Sequence, residues 1–521
     1  MENEFKASED WLSSIPLMDD TQAGSLRRIL NLAAQLPDDW SGMQGLTTLQ
    51  EDFGALRFQL AFMSFALGLT HVHHLPAAPG VFKQPFNSLI EKILSPDVWT
   101  YWHYISTGNG PFNKSIGKQP GQWDPVIKDN IMYSAYVQSM ALLYHYLFQD
   151  DKYAAEGALT FSIDPMFWDE GGKHFVYDEK SLNDHLYWSM VERGYLGIAC
   201  EPNCVFQICN QIPILGFRFH DFVYGGSLAD EVTSGYLQAW SEFGVINDSG
   251  HFNMMVQEHE RQVITPDVLP WTDFWMGSMM HAWNPALVRE HYPKFVDKWV
   301  TKLPDGSSFV TPAPAAALGL KERGNAHDFG WAAVCASELG DTSLLKGLHE
   351  FADEHLQPAW QDGGYYYRRC DQLLTEDGLL RAMDPHTSNA LLPYSRLNVT
   401  GGLRKLYEEP LQEEHFSQPK LISLEPSLDV LRAKYDSKVQ AMVLTLKPTH
   451  GMEKNSTVSL EITNVWKRGD WHIQRDHETL ALCDSDNISS STSSAQLKRL
   501  DDSVLIEFEL TDITTLVLSW K

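Results

Sequence analysis

At 521 residues, 43% of them hydrophobic, the chain is long enough for two or three domains, or for one large unit with an appendage. A formal net charge of −28 opposes a nucleic-acid partner, and no basic amphipathic patch points to an anionic membrane. No run of about 18 apolar residues suggests a membrane span. The acidic start lacks the features of a secretory signal. Six cysteines at this length do not make a disulfide framework, so a reducing, cytoplasmic setting is expected.

In chain order, residues 1–20 read as a polar, partly ordered tail. Helices are predicted over 21–36, 52–69 and 88–106 from their helical apolar spacing. The intervening THVHHLP breaks the second of these, with His71, His73 and His74 at a solvated helix end. The Gly/Pro-rich loop STGNGPFNKSIGKQPGQWDP leads to a strongly apolar helix, IKDNIMYSAYVQSMALLYHYLF. LTFSIDPMFWDEGGKHFVYDEK predicts a β-hairpin turning at Glu170-Gly171-Gly172. Further helices are expected over 181–195, 227–242, 273–283, 285–302, 327–339, 342–355 and 388–407. So many apolar helices in succession predict a mainly α fold, an α/α barrel over 21–410. After the charged linker EEPLQEEHFSQPK, short alternating runs predict an antiparallel β-sandwich over 411–521, with a flexible Ser-rich loop at 485–497. The sandwich is expected to be an appendage, removable without unfolding the helices.

The stretch GIACEPNCVFQICNQIPILGF, 197–217, holds three of the six cysteines, Cys200, Cys204 and Cys209, with Glu201, Asn203 and Asn210 in an apolar run. Pro202 suits a first helical turn, which predicts a buried helix from Val205 to Phe217. Polar groups in such a setting need partners or serve chemistry. As plain structure, the same stretch is a helix cap followed by core cysteines. Asp273 lies among Trp271, Phe274, Trp275 and Met276. A carboxyl there would have a raised pKa and could be a general acid, or it could simply cap the helix that follows. Trp271, Trp275, Trp102, Trp123, Tyr133 and Tyr136 could line a pocket whose ring faces suit a carbocation or a sugar. Asp150-Asp151 and Asp484-Ser485-Asp486-Asn487 are incomplete terpene-cyclase metal motifs. No nucleotide loop or other cofactor motif is present, so neither metal nor cofactor is expected.

Three blocks, WDPVIKDNIMYSAY (123–136), GIACEPNCVFQICNQ (197–211) and PWTDFW through ALVREHYPKF (270–295), resemble the linalool dehydratase/isomerase family in order and motif. The resemblance implies an α/α barrel and metal-free acid–base chemistry on a small terpenoid alcohol. It also implies an apolar pocket completed by a neighbouring subunit, hence a homo-oligomer. Carried over, it marks Met132, Tyr136, Cys200, Phe206, Cys209 and Trp275 as pocket or catalytic positions, with residues near Trp40 reaching in from a neighbour and Gln35, Asp38 and Asp39 standing near the place of the family's N-terminal aspartate. Where the family has a His after NIMY this chain has Tyr136, and where it has a Tyr after PW this chain has Trp275. A larger, more aromatic pocket fits a larger prenylated substrate. Cys200, Cys209, Asp273 and Tyr136 are therefore the expected catalytic residues, with Met132, Tyr133, Phe206, Trp271, Trp275, Trp40 and Asp39 binding substrate. The competing expectation is a carbohydrate-active α/α toroid with a β-sandwich appendage.

Overall fold

The computed structural model describes residues 8–45, 49–50, 52–168, 171–265, 269–312, 326–449, 456–466 and 468–521. The fold is mainly helical, with small antiparallel sheets. Six helices contact one another in a closed cycle: Leu56–His73, Ile131–Phe148, Gln211–Tyr224, Pro270–Met280, His327–Leu339 and Leu392–Leu397. Their sequences are apolar nearly all round, which is the pattern of a helix buried on every side. A second helix backs each one: Asp20–Ala33, Lys83–Ile93, Glu179–Glu192, Leu228–Trp240, Pro285–Trp299 and Thr342–His355. Most of these are half-apolar and bury one stripe. Asp19, Asp178 and Asp341 cap their first turns, satisfying N–H groups that have no partner within the helix.

The departures from expectation have local causes. The helix expected over 88–106 is divided into Lys83–Ile93, Pro96–Trp99 and Tyr101–Ile105, because Pro96 has no N–H to continue the ladder. The one expected over 388–407 is a π-turn at Thr387–Leu391, then Leu392–Leu397 and Gly402–Glu408. The second predicted helix runs on through His73, and its histidines are packed, not solvated. His71 is buried, while His73 and His74 each place Nε2 2.9 Å from a backbone carbonyl, of Gly402 and Leu397. The hairpin forms with Phe161–Ile163 against Lys173–Phe175, and Glu170 of its expected turn lies outside the described residues.

The C-terminal part consists of two antiparallel sheets. One orders Lys420–Leu424, Ser456–Thr463, Ser503–Leu510 and Ala495–Leu500. The other orders Leu428–Asp436, Ala441–Pro448, Thr514–Trp520, Trp471–Arg475, Glu478–Cys483 and Ile488–Ser491. The Ser-rich stretch expected as a loop thus contributes an edge strand, Ile488–Ser491. The sheets are tied to the helices. Leu421 donates its N–H to Ala77 (2.8 Å), and Met18 donates to Leu431 (2.9 Å). Arg27 pairs with Asp429 at 2.7 Å. Trp11, on the Glu9–Ser14 helix, donates to Asp436 at 3.1 Å. Among the described residues no helix is long and apolar enough to cross a membrane.

Candidate active site

The first helical turns of the cycle meet at one end, around a cavity of about 140 Å³. Arg57 and Phe58 come from the start of one helix, Met132 from the start of the next, and Trp271 and Trp275 from a third. Cys200, Glu201, Phe206, Ile208 and Cys209 come from the segment leading into the Gln211–Tyr224 helix. Phe53, Phe112 and Met254 complete the wall.

The cysteine segment is not the expected continuous helix. Cys204–Phe206 is a strand, paired with Met255–Gln257, which in turn pairs with Gln262–Ile264. Glu201-Pro202-Asn203 forms a tight reversal closed by Cys204 N–H to the Glu201 carbonyl and Cys200 N–H to the Cys204 carbonyl, both 2.9 Å. Asn203 takes the left-handed conformation there (φ 73°), which asparagine tolerates better than most side chains. Its amide then bonds His259 N–H (2.7 Å) and Glu260 (2.8 Å). Asn210 ties the loop shut. It accepts from Ile198 N–H (2.8 Å) and donates to the carbonyls of Ile198 (3.0 Å) and Phe206 (2.8 Å). Gly197 makes room for that amide: a Cβ there would sit 2.6 Å from the Asn210 side chain, at a φ of 129° that other residues resist. Asn130 N–H donates to the Cys200 carbonyl (3.0 Å), which brings Met132 alongside.

The result is one polar line in an aromatic chamber. Cys209 lies beside Cys200, and Cys200 beside the Glu201 carboxyl, close enough for each to act on the next. Burial raises the Glu201 carboxyl above the ordinary carboxylate range, against the pull of the nearby Arg57. Cys209 is pushed well above the usual thiol range by burial and by its interaction with Cys200. Cys200 is held lower by that same interaction, yet its pKa stays raised through burial and the neighbouring Glu201. Arg57 is itself buried, its guanidinium 4.2 Å from the Tyr101 ring centre and 4.5 Å from that of Phe58.

Met132, Cys200, Phe206, Cys209, Trp271 and Trp275 all line the cavity. Tyr136 is buried one layer back, edge-on to Phe58, with its hydroxyl unpaired. Tyr133 is turned away, donating to the Ile93 carbonyl at 2.7 Å. Asp273 does not line the cavity, nor does it cap its helix, where Leu269 holds that place. Its carboxylate is enclosed by His251 Nδ1 (2.7 Å), Trp299 Nε1 (2.6 Å) and Phe252 N–H (2.9 Å). Trp40 donates to Asp97 (2.9 Å) and Asp39 accepts from Ser41 N–H (2.9 Å), both away from the cavity of their own chain. Cys204 points toward the Phe112 carbonyl, 3.9 Å away. The sequence reading missed Arg57; the available signal was a lone cation opening the apolar run LRFQLAFMSF. Among the described residues, one His/Asp/Glu group has metal-ligand spacing, Asp305, Glu354 and His355. It is a surface cluster that contributes nothing to the cavity.

Residues 57–373 match the linalool dehydratase/isomerase family over more than half of the chain. The chain belongs to the linalool dehydratase/isomerase family. That places it among enzymes of lyase and isomerase type. Solved structures of similar shape include an unsaturated glucuronyl hydrolase specific for heparin, at 10% identity and a TM-score of 0.43, covering 78% of this chain and 100% of that one. A GH76 α-mannanase of Bacteroides thetaiotaomicron has 10% identity and a TM-score of 0.41, covering 75% and 98%. An α-1,6-mannanase of Salegentibacter sp. HEL1_6 has 11% identity and a TM-score of 0.37, covering 74% and 100%. Likeness of this degree says nothing about the chemistry of the site.

Proposed function

We propose that this family member is an acid–base lyase or isomerase that works without a metal on a small terpenoid or prenylated substrate, inside an α/α barrel formed by the closed helix cycle. The observation that supports it is the line Cys209–Cys200–Glu201 on one cavity wall, facing Phe53, Phe58, Trp271 and Trp275. Protonation of an allylic hydroxyl from this line releases water and leaves an allylic cation. Loss of a proton from the adjacent carbon back to the line yields the diene and restores the proton count. Protonation of an olefin or epoxide starts cyclisation by the same logic. Burial favours the protonated carboxyl of Glu201; as the acid, Glu201 passes its proton to Cys200 while Cys200 passes its own to Cys209 and Cys209 to the substrate. Ring faces stabilise the cation by about 0.5–2 kcal/mol each, and the apolar walls keep water from quenching it.

The cavity compares with an engineered one of about 150 Å³ that admits benzene. A prenyl chain therefore requires the half-buried Phe53, Phe112 and Phe206 to swing outward. Asp39 and Trp40 would complete the cavity of a neighbouring subunit in a homo-oligomer. The test is incubation of the purified protein with prenyl alcohols, prenylated phenols and oligosaccharides, followed by product analysis with and without EDTA. Dehydrated, isomerised or cyclised prenyl products that persist in EDTA are expected. Loss of turnover on chelation, restored by Mg²⁺, overturns the reading, as does cleavage of oligosaccharides alone. The carbohydrate alternative needs two carboxylates facing each other across about 5–10 Å, and among the described residues lining the cavity Glu201 is the one carboxylate.

A further inference from the structure

A second cavity, of about 540 Å³, lies where the helices meet the sheets. That is within the roughly 300–1,000 Å³ typical of small-molecule sites. Its walls are mixed, with an apolar part made by Leu147 and Phe148 from the helical side and Phe416 and Ile422 from the sheet side, Ile422 being 41% exposed. The junction is held close by Gly80, where a Cβ would fall 2.4 Å from the Ile422 backbone.

Lys420 opens into this cleft. It is only 7% exposed, and in a chain with 68 acidic residues no carboxylate lies within ion-pair distance of it among the described residues. Its neighbours add no negative charge. His71 and His415, with ring centres 6.4 Å apart, both leave Nε2 buried without a hydrogen-bond partner. The nearby acid, Asp150, is already taken by Lys83 (2.7 Å) and the Tyr144 hydroxyl (3.1 Å). A buried ammonium without a counter-charge is costly, and a ligand that supplies one recovers that cost. Burial lowers Lys420 to about 8, so it still carries its charge at neutral pH. His415 is lowered to about 4 and His71 to about 3, chiefly by burial, so both are neutral there. Lys83 also lines the cleft but is spent on Asp150, so Lys420 is the one lining cation left without an acid partner among the described residues, which suits a monoanion over a dianion.

We propose that this cleft binds a monocarboxylate with an apolar chain, its carboxylate on the Lys420 ammonium and its chain against Leu147, Phe148, Phe416 and Ile422. The site is separate from the aromatic cavity, and the proposal does not depend on what that cavity catalyses. The probe is sodium decanoate with the full-length protein, followed by calorimetry and thermal melting, with 1-decanol and inorganic phosphate as comparison ligands. Saturable decanoate binding is expected, at least tenfold tighter than decanol or phosphate. Lys420→Met should weaken decanoate at least tenfold, and Lys420→Arg should retain most of the binding. Should Lys420→Met fail to fold, acetylation of the wild-type protein at pH 7.5, read by mass spectrometry, decides. Decanoate should slow labelling of Lys420 at least tenfold while leaving the exposed Lys346 unchanged. Equal affinity for decanol or phosphate, undiminished binding by folded Lys420→Met, or unprotected Lys420 overturns the proposal.

Discussion

Glu201→Gln separates the proton from the shape that holds it. Glutamine keeps the size and can still bond the Cys200 thiol, but it has no proton to exchange near neutral pH. If Glu201 feeds the cysteine pair, turnover should fall by the 10²–10⁴ that a general acid–base group supplies, about 2.7–5.4 kcal/mol in the barrier. Stability should move the other way. The Glu201 carboxyl is raised above its ordinary 4.5 chiefly by burial, despite Arg57. The folded protein therefore holds this proton more tightly than the unfolded chain does. Stability from this group is full below the unfolded pKa and declines as pH rises toward the folded one. Glutamine has no such decline, so the variant should melt at the same temperature as wild type or higher at pH 8. The two should converge near pH 4. The assay is product formation from the best substrate of the panel, alongside melting curves at both pH values. Turnover within about threefold of wild type in folded Glu201→Gln protein would refute the relay, since no acid–base role is worth so little.

Cys200→Ala and Cys209→Ala should each lower turnover at least about 100-fold with modest change in melting temperature, while Cys204→Ala changes turnover little; if both pocket variants stay near wild type, the cysteines only line the wall. Asp273→Asn should act on the fold, because its amide would present hydrogens to the His251 or Trp299 donors, at a cost of about 2–5 kcal/mol in urea unfolding. Collapse of activity at unchanged stability would instead return Asp273 to the chemistry. Truncation after residue 412 should give an insoluble or markedly less stable protein, measured by solubility and melting, because it strips Ala77, Met18, Arg27 and Trp11 of their partners in the sheets. A soluble truncation melting like the full chain would show that these contacts contribute little.

Helices such as Ile131–Phe148 and His327–Leu339 were legible in the sequence because a run of apolar residues at helical spacing has few other ways to leave water. The sandwich strands were legible for the matching reason, with a period of two between turn residues. The family blocks also marked the segments that meet at the cavity. What the sequence alone could not decide was direction. Cys204-Val205-Phe206 is apolar enough for helix or strand, and its pairing with Met255–Gln257, some fifty residues away, made it a strand. Asp273 sits among aromatic residues as expected, yet three donors from distant parts of the chain turn its carboxylate away from the cavity. Glu201, marked in the sequence as a polar group beside the cysteines, and Arg57, which no motif marks, meet at the site because Asn130, Asn203 and Asn210 fold the cysteine loop back onto the start of the helices. Local patterns fix which residues leave water, because burial is set by residue type and spacing. Which buried groups face one another is set by hydrogen bonds between remote segments, and only the tertiary structure contains those.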